Sequence, residues 1–522
     1  MGFDKSREVQ DAHEYLRTGR IPKSEIVIGL VGAVGTELPR IADDIKALLS
    51  KHHGYEVLPI RISEEVIPTI VGKPKSRGDD EFHRVDTNMT NGDLARKKTG
   101  DNSILALGVA HILGRNRKRR NPPSGTRLAK GKFACIVNSL KRPEEVAALR
   151  RIYAEGFFLV GVYRQTEERK QFLIGQYNMS EDQADKLMKR DEDEDETENG
   201  SYGQKTGATY HLADFFVHED DEKKRRGDLR RILDIMFGHP ITTPTFDEYA
   251  MFLAFSSALR SADLSRQVGA VIARDYAIIA TGANECPCFG GGLYWPDNAK
   301  PKRRGRDCEI GYDSNKRQKD DMIEKVAAMV SELASLASLD NADLRRKLEQ
   351  SPIKDIMEYG RPVHAEMEAL LACARNNVSC KAATLYCTTF PCHNCAKHII
   401  AAGIERVVFV EPYPKSKTLA FYQDSAYLGL FGDCREKVAF EPFVGVGPRP
   451  FFDLFSMHLG SGYPLERKEE KSGNCLQSRW EKNRRQYGAL RIPMLPWSYL
   501  QKEEFAELAF QKAKGGEKNG AV

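Results

Sequence analysis

The 522-residue chain is 41% hydrophobic and 29% charged, ordinary proportions for a soluble protein of two or three domains. A formal net charge of +5 is too small at this length to argue by itself for a nucleic-acid partner, and no apolar run approaches the roughly 18 residues of a membrane span. Residues 1–6 lack an apolar signal core and the eleven cysteines suit a reducing compartment, so a cytoplasmic protein with no membrane association is expected.

Glu25 to Val31 reads as a first strand that meets Gly32-Ala33-Val34-Gly35-Thr36, and a helix follows through Ile41 and Ile45 to Leu49. Further strands are expected at 55–62, 132–138 and 156–163, with helices at about 92–113 and 143–153. This alternation predicts a parallel α/β sheet. A glycine-rich turn between the first strand and first helix is where backbone amides hold phosphate, which makes Gly29, Gly32, Gly35 and Thr36 candidate nucleotide-binding residues. A phosphate loop ends in Gly-Lys-Ser/Thr, whereas Gly35-Thr36 is followed here by Glu37 and no lysine. Around this turn, and at Leu140-Lys141-Arg142-Pro143-Glu144-Glu145-Val146, the segment resembles nucleoside-monophosphate kinase-like P-loop domains. The resemblance implies a P-loop domain over 1–240 that takes a regulatory nucleotide. The missing lysine leaves nucleotide sensing, a structural role and ATP hydrolysis open, in that order.

Six consecutive acids, Asp191 to Glu196, read as a solvated loop, 210–217 as a strand and 221–237 as a helix before a linker at Pro240 and Pro244. The pattern then changes. A helix is expected at 249–261 and a strand at 266–272, with Thr281-Gly282-Ala283-Asn284-Glu285-Cys286-Pro287 beyond it. Cys286, Cys288 and Cys308 around Gly290-Gly291-Gly292 are either loop thiols or ligands of a second zinc. The spacing of Ile323, Val326, Met329, Val330 and Leu333 predicts a helix within 319–348, a packing or oligomer surface.

His364-Ala365-Glu366 and Pro391-Cys392-His393-Asn394-Cys395 supply three metal donors, His364, Cys392 and Cys395, and one carboxylate set apart from them. Three protein ligands leave a fourth position of a tetrahedral zinc open, as in catalytic rather than structural sites. The competing reading is a structural knuckle closed by Cys387 or His393. Pro362 and Pro391 precede helical runs, so both motifs are expected to open helices, where the helix dipole favours thiolate. The order His-x-Glu then Pro-Cys-x-x-Cys is the signature of zinc-dependent base deaminases, with Glu366 as the proton-transfer group.

With Arg266-Gln267-Val268-Gly269-Ala270-Val271-Ile272 and the Gly282-Ala283-Asn284 loop, these motifs resemble deoxycytidylate deaminases of the cytidine-deaminase fold, over roughly 245–290 and 360–425. The whole chain is similar to the bacterial anti-phage deoxycytidylate deaminases. That resemblance implies an α/β protein: a kinase-like parallel sheet, then an α/β/α deaminase domain over 241–460 with an insertion at 286–360, and a basic extension at 461–522. It implies zinc-dependent conversion of dCTP or dCMP to the uracil nucleotide in antiviral defence. Asn284 would contact the nucleoside, Tyr413 would stack on the base, and Lys415, Arg260 and Arg266 are phosphate candidates. A homo-oligomer and a small noncoding RNA inhibitor are the implied partners, with Arg115–Arg120 and Arg479–Tyr487 as candidate RNA contacts. The alternative is a polynucleotide cytosine deaminase acting on single-stranded DNA or RNA.

Overall fold

A computed structural model describes residues 5–21, 23–72, 80–120, 129, 131–192, 202–219, 221–298, 305–333, 341–349, 351, 353, 359–413 and 416–515. The chain divides into two compact units, residues 1–245 with 444–522, and residues 246–443.

The first unit is built on β1 (Ile26–Gly32), whose apolar run is buried throughout. Strands β2 (Glu56–Arg61), β3 (Phe133–Asn138), β4 (Phe157–Tyr163) and β5 (Phe215–His218) complete the parallel part of the sheet. The order is β12-β5-β4-β1-β3-β2, where β12 (Gly445–Val446) adds an antiparallel edge. Chain order reverses at β1, between β3 and β4. In open α/β sheets the crevice at the carboxyl ends of strands flanking such a point is where ligands bind. Helix α1 (Leu38–Leu48) follows the turn, with Pro39 in its first turn, and buries Leu38, Ile41 and Ile45 against the sheet.

Several sequence expectations shift. The helix placed at about 92–113 is two helices, α2 (Glu81–Thr99) and α3 (Ile104–Arg120), because Gly100 adopts φ +66° and ends the first. The 210–217 strand is only β5, preceded by a short helix, Thr206–Tyr210. The expected 143–153 helix is present as α4 (Pro143–Tyr153). Six acids in a row do not make one solvated loop: Asp191 and Glu192 end helix α5 (Glu181–Glu192), and the remaining four lie outside the described residues.

The carboxyl-terminal segment does not stand apart as a basic extension, and residues 444–460 do not belong with the second unit. Arg449 pairs with buried Asp214, and Trp480 is buried against His53 and His239. Helix α12 (Pro496–Lys514) sends Glu503 to Arg117, which also grips Glu25 at 2.6 Å. Arg117 and Trp480 are therefore core residues, and the clusters expected to contact RNA have lost their central cation and their tryptophan to packing. Helices α6 (Glu222–Met236) and α11 (Pro448–Phe455) also belong to this unit.

The second unit holds a six-stranded mixed sheet, β10-β11-β9-β8-β6-β7. Strands β6 (Gly269–Arg274) and β7 (Ala277–Ala283) form a hairpin whose turn residues Asp275 and Tyr276 have φ of 52° and 60°. Strand β8 (Thr384–Thr389) runs antiparallel to β6, and β9 (Arg406–Glu411), β11 (Val438–Pro442) and β10 (Ala426–Leu428) continue parallel to it. Helices α7 (Phe246–Ala258), α8 (Ser314–Leu333), α9 (Ala365–Arg375) and α10 (His393–Ala401) belong to this unit. Among the described residues no helix is long and apolar enough to cross a membrane.

His53 gives the first unit a pH dependence. It is buried with its ring stacked 3.8 Å from that of Phe237, and burial, then Arg484, push its pKa down to about 3. The folded state thus binds this proton less readily than the unfolded chain, so the contribution is complete above about pH 6.5 and is lost as pH falls towards 3. Its slope is about 1.4 kcal/mol per pH unit. Urea unfolding between pH 7 and 5 checks this: His53→Leu should flatten the pH dependence by that amount per unit.

Candidate active site

Two helix starts carry the site, one after an isolated bridge at Val363 and one after β8. His364 is the N-cap of α9, with extended φ −67° and ψ 152°, and Cys392 is the N-cap of α10. Both expectations of helix-opening motifs are met. Cys395, one turn into α10, donates its N–H to the Cys392 sulfur at 3.4 Å. The His364 Nδ1 lies 3.5 Å from Cys392 Sγ and 3.3 Å from Cys395 Sγ.

The hairpin is shaped to admit α9. A Cβ built on Gly282 of β7 would lie 2.1 Å from the Ala365 carbonyl oxygen, so only glycine lets the helix bearing Glu366 seat this closely on the sheet. The entry to α9 is fixed by an antiparallel bridge between Glu285 and Val363, one residue before His364. Glu285 is itself buried and gripped by Arg306, which ties the insertion to this junction.

The three donor atoms lie within 4.8 Å of one another, and they are the only such group among the described residues. Cys387 and His393 do not join them, so the four-ligand knuckle is not formed. The two thiols differ in their readiness to ionise. Hydrogen bonding with Cys395, then His364, holds Cys392 down at about 4, while the same contact and burial push Cys395 up. A nitrogen and two sulfurs with room for a fourth ligand is the donor chemistry of a catalytic zinc.

Glu366 is 4% exposed, and burial raises its pKa. It borders a cavity together with Asp263, Arg266, Asn284, Asp307, Asp313, Asn315 and Tyr413. A buried carboxyl with a raised pKa is matched to taking and returning protons near neutral pH.

Residues 244–411 match the family model for the cytidine and deoxycytidylate deaminase zinc-binding region. Over 165 residues the chain is 34% identical to the deoxycytidylate deaminase of Enterobacteria phage T4, covering 32% of this chain and 77% of that protein. It is 30% identical over 175 residues to that of Mycobacterium phage D29, covering 34% and 98%. With the Saccharomyces cerevisiae enzyme it shares 27% identity over 300 residues, 53% of this chain and 75% of that one. The chain belongs to the deoxycytidylate deaminase family. Its cofactor is zinc, and His364, Cys392 and Cys395 are the residues placed to hold it.

The deaminase departs from the sequence expectations around the cavity. Asn284 is there, but its amide is engaged in shaping the wall: Oδ1 accepts the Val268 N–H at 2.7 Å and Nδ2 donates to the Arg266 carbonyl at 2.8 Å. Tyr413 lines the cavity beside Arg266, whose guanidinium is 5.8 Å from the Tyr413 ring. Arg260 is not among the lining residues. It sits 3.6 Å over the Trp295 ring and donates to the Tyr294 carbonyl. Lys415 lies outside the described residues. Cys286 is buried 3.6 Å from Asp307, Cys308 is exposed, and Cys286, Cys288 and Cys308 do not assemble a second metal group.

Sequence reasoning missed Asp307, Asp313 and Asn315, which the insertion brings to the cavity. The one available signal was Asp313 before the 319–348 helical pattern, an N-cap residue for a helix that then opens at Ser314.

Three substitutions test the assembly. Glu366→Ala should leave one zinc per chain by metal analysis and reduce ammonia release by about two to four powers of ten, whereas His364→Ala should lose both. Gly282→Ala should destabilise the second unit by about 1–3 kcal/mol, measured by urea unfolding, and lower turnover by shifting α9.

Proposed function

We propose that the chain hydrolyses the exocyclic amine of a deoxycytidine nucleotide, converting dCMP, and dCTP as a further substrate, to the uracil nucleotide and ammonia. The observation that carries this reading is the buried Glu366 carboxyl, two residues from a metal donor, bordering a cavity with the base-sized wall of Asn284, Phe390 and Tyr413. The deoxycytidylate deaminases it matches support the nucleotide class.

Zinc held by His364, Cys392 and Cys395 would lower the pKa of water towards roughly 7 and make hydroxide available. Glu366 takes one proton of the attacking water and delivers it to ring N3, then takes the second from the new C4 hydroxyl and delivers it to the amine, which leaves as ammonia as the C4–N bond breaks and the C4 carbonyl forms. Asn284 holds the 266–268 loop in place, and Tyr413 faces the base. Arg266 is the cation among the lining residues, half-exposed and ion-paired with Glu411 at 3.5 Å, a surface pair weak enough to be exchanged for a substrate phosphate. A groove for a polynucleotide needs a run of cations and stacking rings, whereas Asp263, Asp307 and Asp313 surround this mouth.

The first unit is read as a nucleotide-binding domain of P-loop kinase type. Its strand order, with the glycine turn at the carboxyl end of β1, supports that reading. Gly35 belongs to the turn and Gly32 is the last residue of β1, whereas Gly29 lies inside β1, where an added Cβ would meet Leu140 at 2.7 Å and Phe157 at 2.9 Å. Gly29 is therefore a packing residue. The antiviral role follows from the resemblance of the whole architecture to anti-phage deaminases and is tested by phage plaque counts in cells making the wild-type or Glu366→Ala chain.

Rates on cytidine, dCMP, dCTP and CTP test the substrate class. Deoxynucleotides should exceed free cytidine, and Arg266→Ala should raise KM for dCMP by about tenfold with little change for cytidine, the loss of one charge-assisted hydrogen bond. Uracil formed in a single-stranded oligonucleotide but not in dCMP would contradict the proposal.

A further inference from the structure

We infer that the chain keeps its own phosphate turn filled: Asp191 occupies the place of an anion at the turn after β1, and a triphosphate binds there by displacing it. This rests on the nucleotide-binding reading of the first unit and adds how that site is controlled.

Asp191 is a costly place for a charge. It is fully buried and lies in the last turn of α5, where the negative end of the helix dipole disfavours a carboxylate. What holds it is the turn. One oxygen accepts the Val34 N–H at 2.7 Å, and the other accepts from Lys141 Nζ at 2.7 Å and from the Thr206 hydroxyl at 3.1 Å. A turn amide, a lysine ammonium and a hydroxyl are the set of donors that a phosphate oxygen takes at a glycine turn.

Lys141 also supplies what the turn's own sequence lacks. It follows β3 rather than the glycines, yet its ammonium donates to the Gly32 carbonyl at 2.9 Å, independently of Asp191. Two arginines reach the same turn: Arg164 donates to the Gly35 carbonyl and Arg169 to the Val34 carbonyl. Glu219 accepts the Glu37 N–H at 3.1 Å beside Arg164. The Thr36 hydroxyl oxygen, at the position of the phosphate-loop lysine, is buried without a hydrogen-bond partner among the described residues. Three cations thus converge on one turn at the topological switch point, with internal carboxylates as their counter-charges.

Removing Asp191 alone would leave the part-buried Lys141 ammonium without its counter-charge, which is costly. A triphosphate that takes over Lys141 and the Val34 N–H avoids that cost. The displaced Asp191 is the first of six consecutive acids, so binding acts directly on the start of that run.

The test titrates the full chain with tripolyphosphate, ATP and dTTP, comparing wild type with Asp191→Asn, which keeps the side-chain volume and one acceptor, and with Lys141→Met. Removing the competing charge should tighten binding by about tenfold or more, and Lys141→Met should weaken it by a similar factor. Tightening with all three ligands means that the phosphate chain is what is recognised; tightening with one nucleotide means that the base is also read. Thermal midpoints accompany each titration, and a misfolded variant cannot imitate a gain in affinity. Wild-type binding that Asp191→Asn leaves unchanged would overturn the displacement and keep the nucleotide-binding reading. No binding by wild type or Asp191→Asn would remove both.

Discussion

The close seating of α9 on the β6–β7 hairpin is the constraint on which the site depends. Gly282 permits it, because any side chain there would run into the Ala365 carbonyl. His364 caps that helix and Glu366 lies in its first turn, so one backbone approach fixes both a metal donor and the proton-transfer group. The second junction, at Cys392, brings two sulfurs to the same point from α10. Helix starts suit these groups, since the positive end of each dipole stabilises thiolate and carboxylate.

The chemistry was legible in the sequence because it is local. His-x-Glu and Cys-x-x-Cys place their side chains through one helical turn each, and the two prolines mark where those turns begin. The strand alternation around β1 was equally readable, since period and punctuation are short-range signals. What escaped were relations set by distant packing. Arg117 reads as part of a basic cluster, yet Glu25 and Glu503, 92 and 386 positions away, draw it into the core. Trp480 reads as a stacking ring and is instead packed on His53 and His239. Arg260 reads as a phosphate contact and spends its charge over Trp295. The insertion's Asp307, Asp313 and Asn315 carry no motif, so only the fold could bring them to the cavity.

The two units treat charge differently. Around the zinc donors, Glu366 is buried, and Asp263, Arg266, Asp307 and Asp313 border the cavity. At the turn after β1, Lys141, Arg164 and Arg169 meet Asp191, Glu192 and Glu219 in a nearly balanced cluster. Asp191 and Glu219 are buried in this cluster while Lys141 and Arg164 are part-exposed, so a competing anion that displaces Asp191, as proposed above, can take over their charges.

Hydrolysis of a deoxycytidine nucleotide by water activated at Glu366 and the three metal donors is the proposed reaction. Incubating the zinc-loaded chain with dCMP in heavy-oxygen water and analysing the product by mass spectrometry tests it most directly. Hydrolysis should give dUMP carrying one solvent oxygen at C4 and an equal amount of ammonia. Absence of dUMP, or dUMP without solvent oxygen, would contradict it.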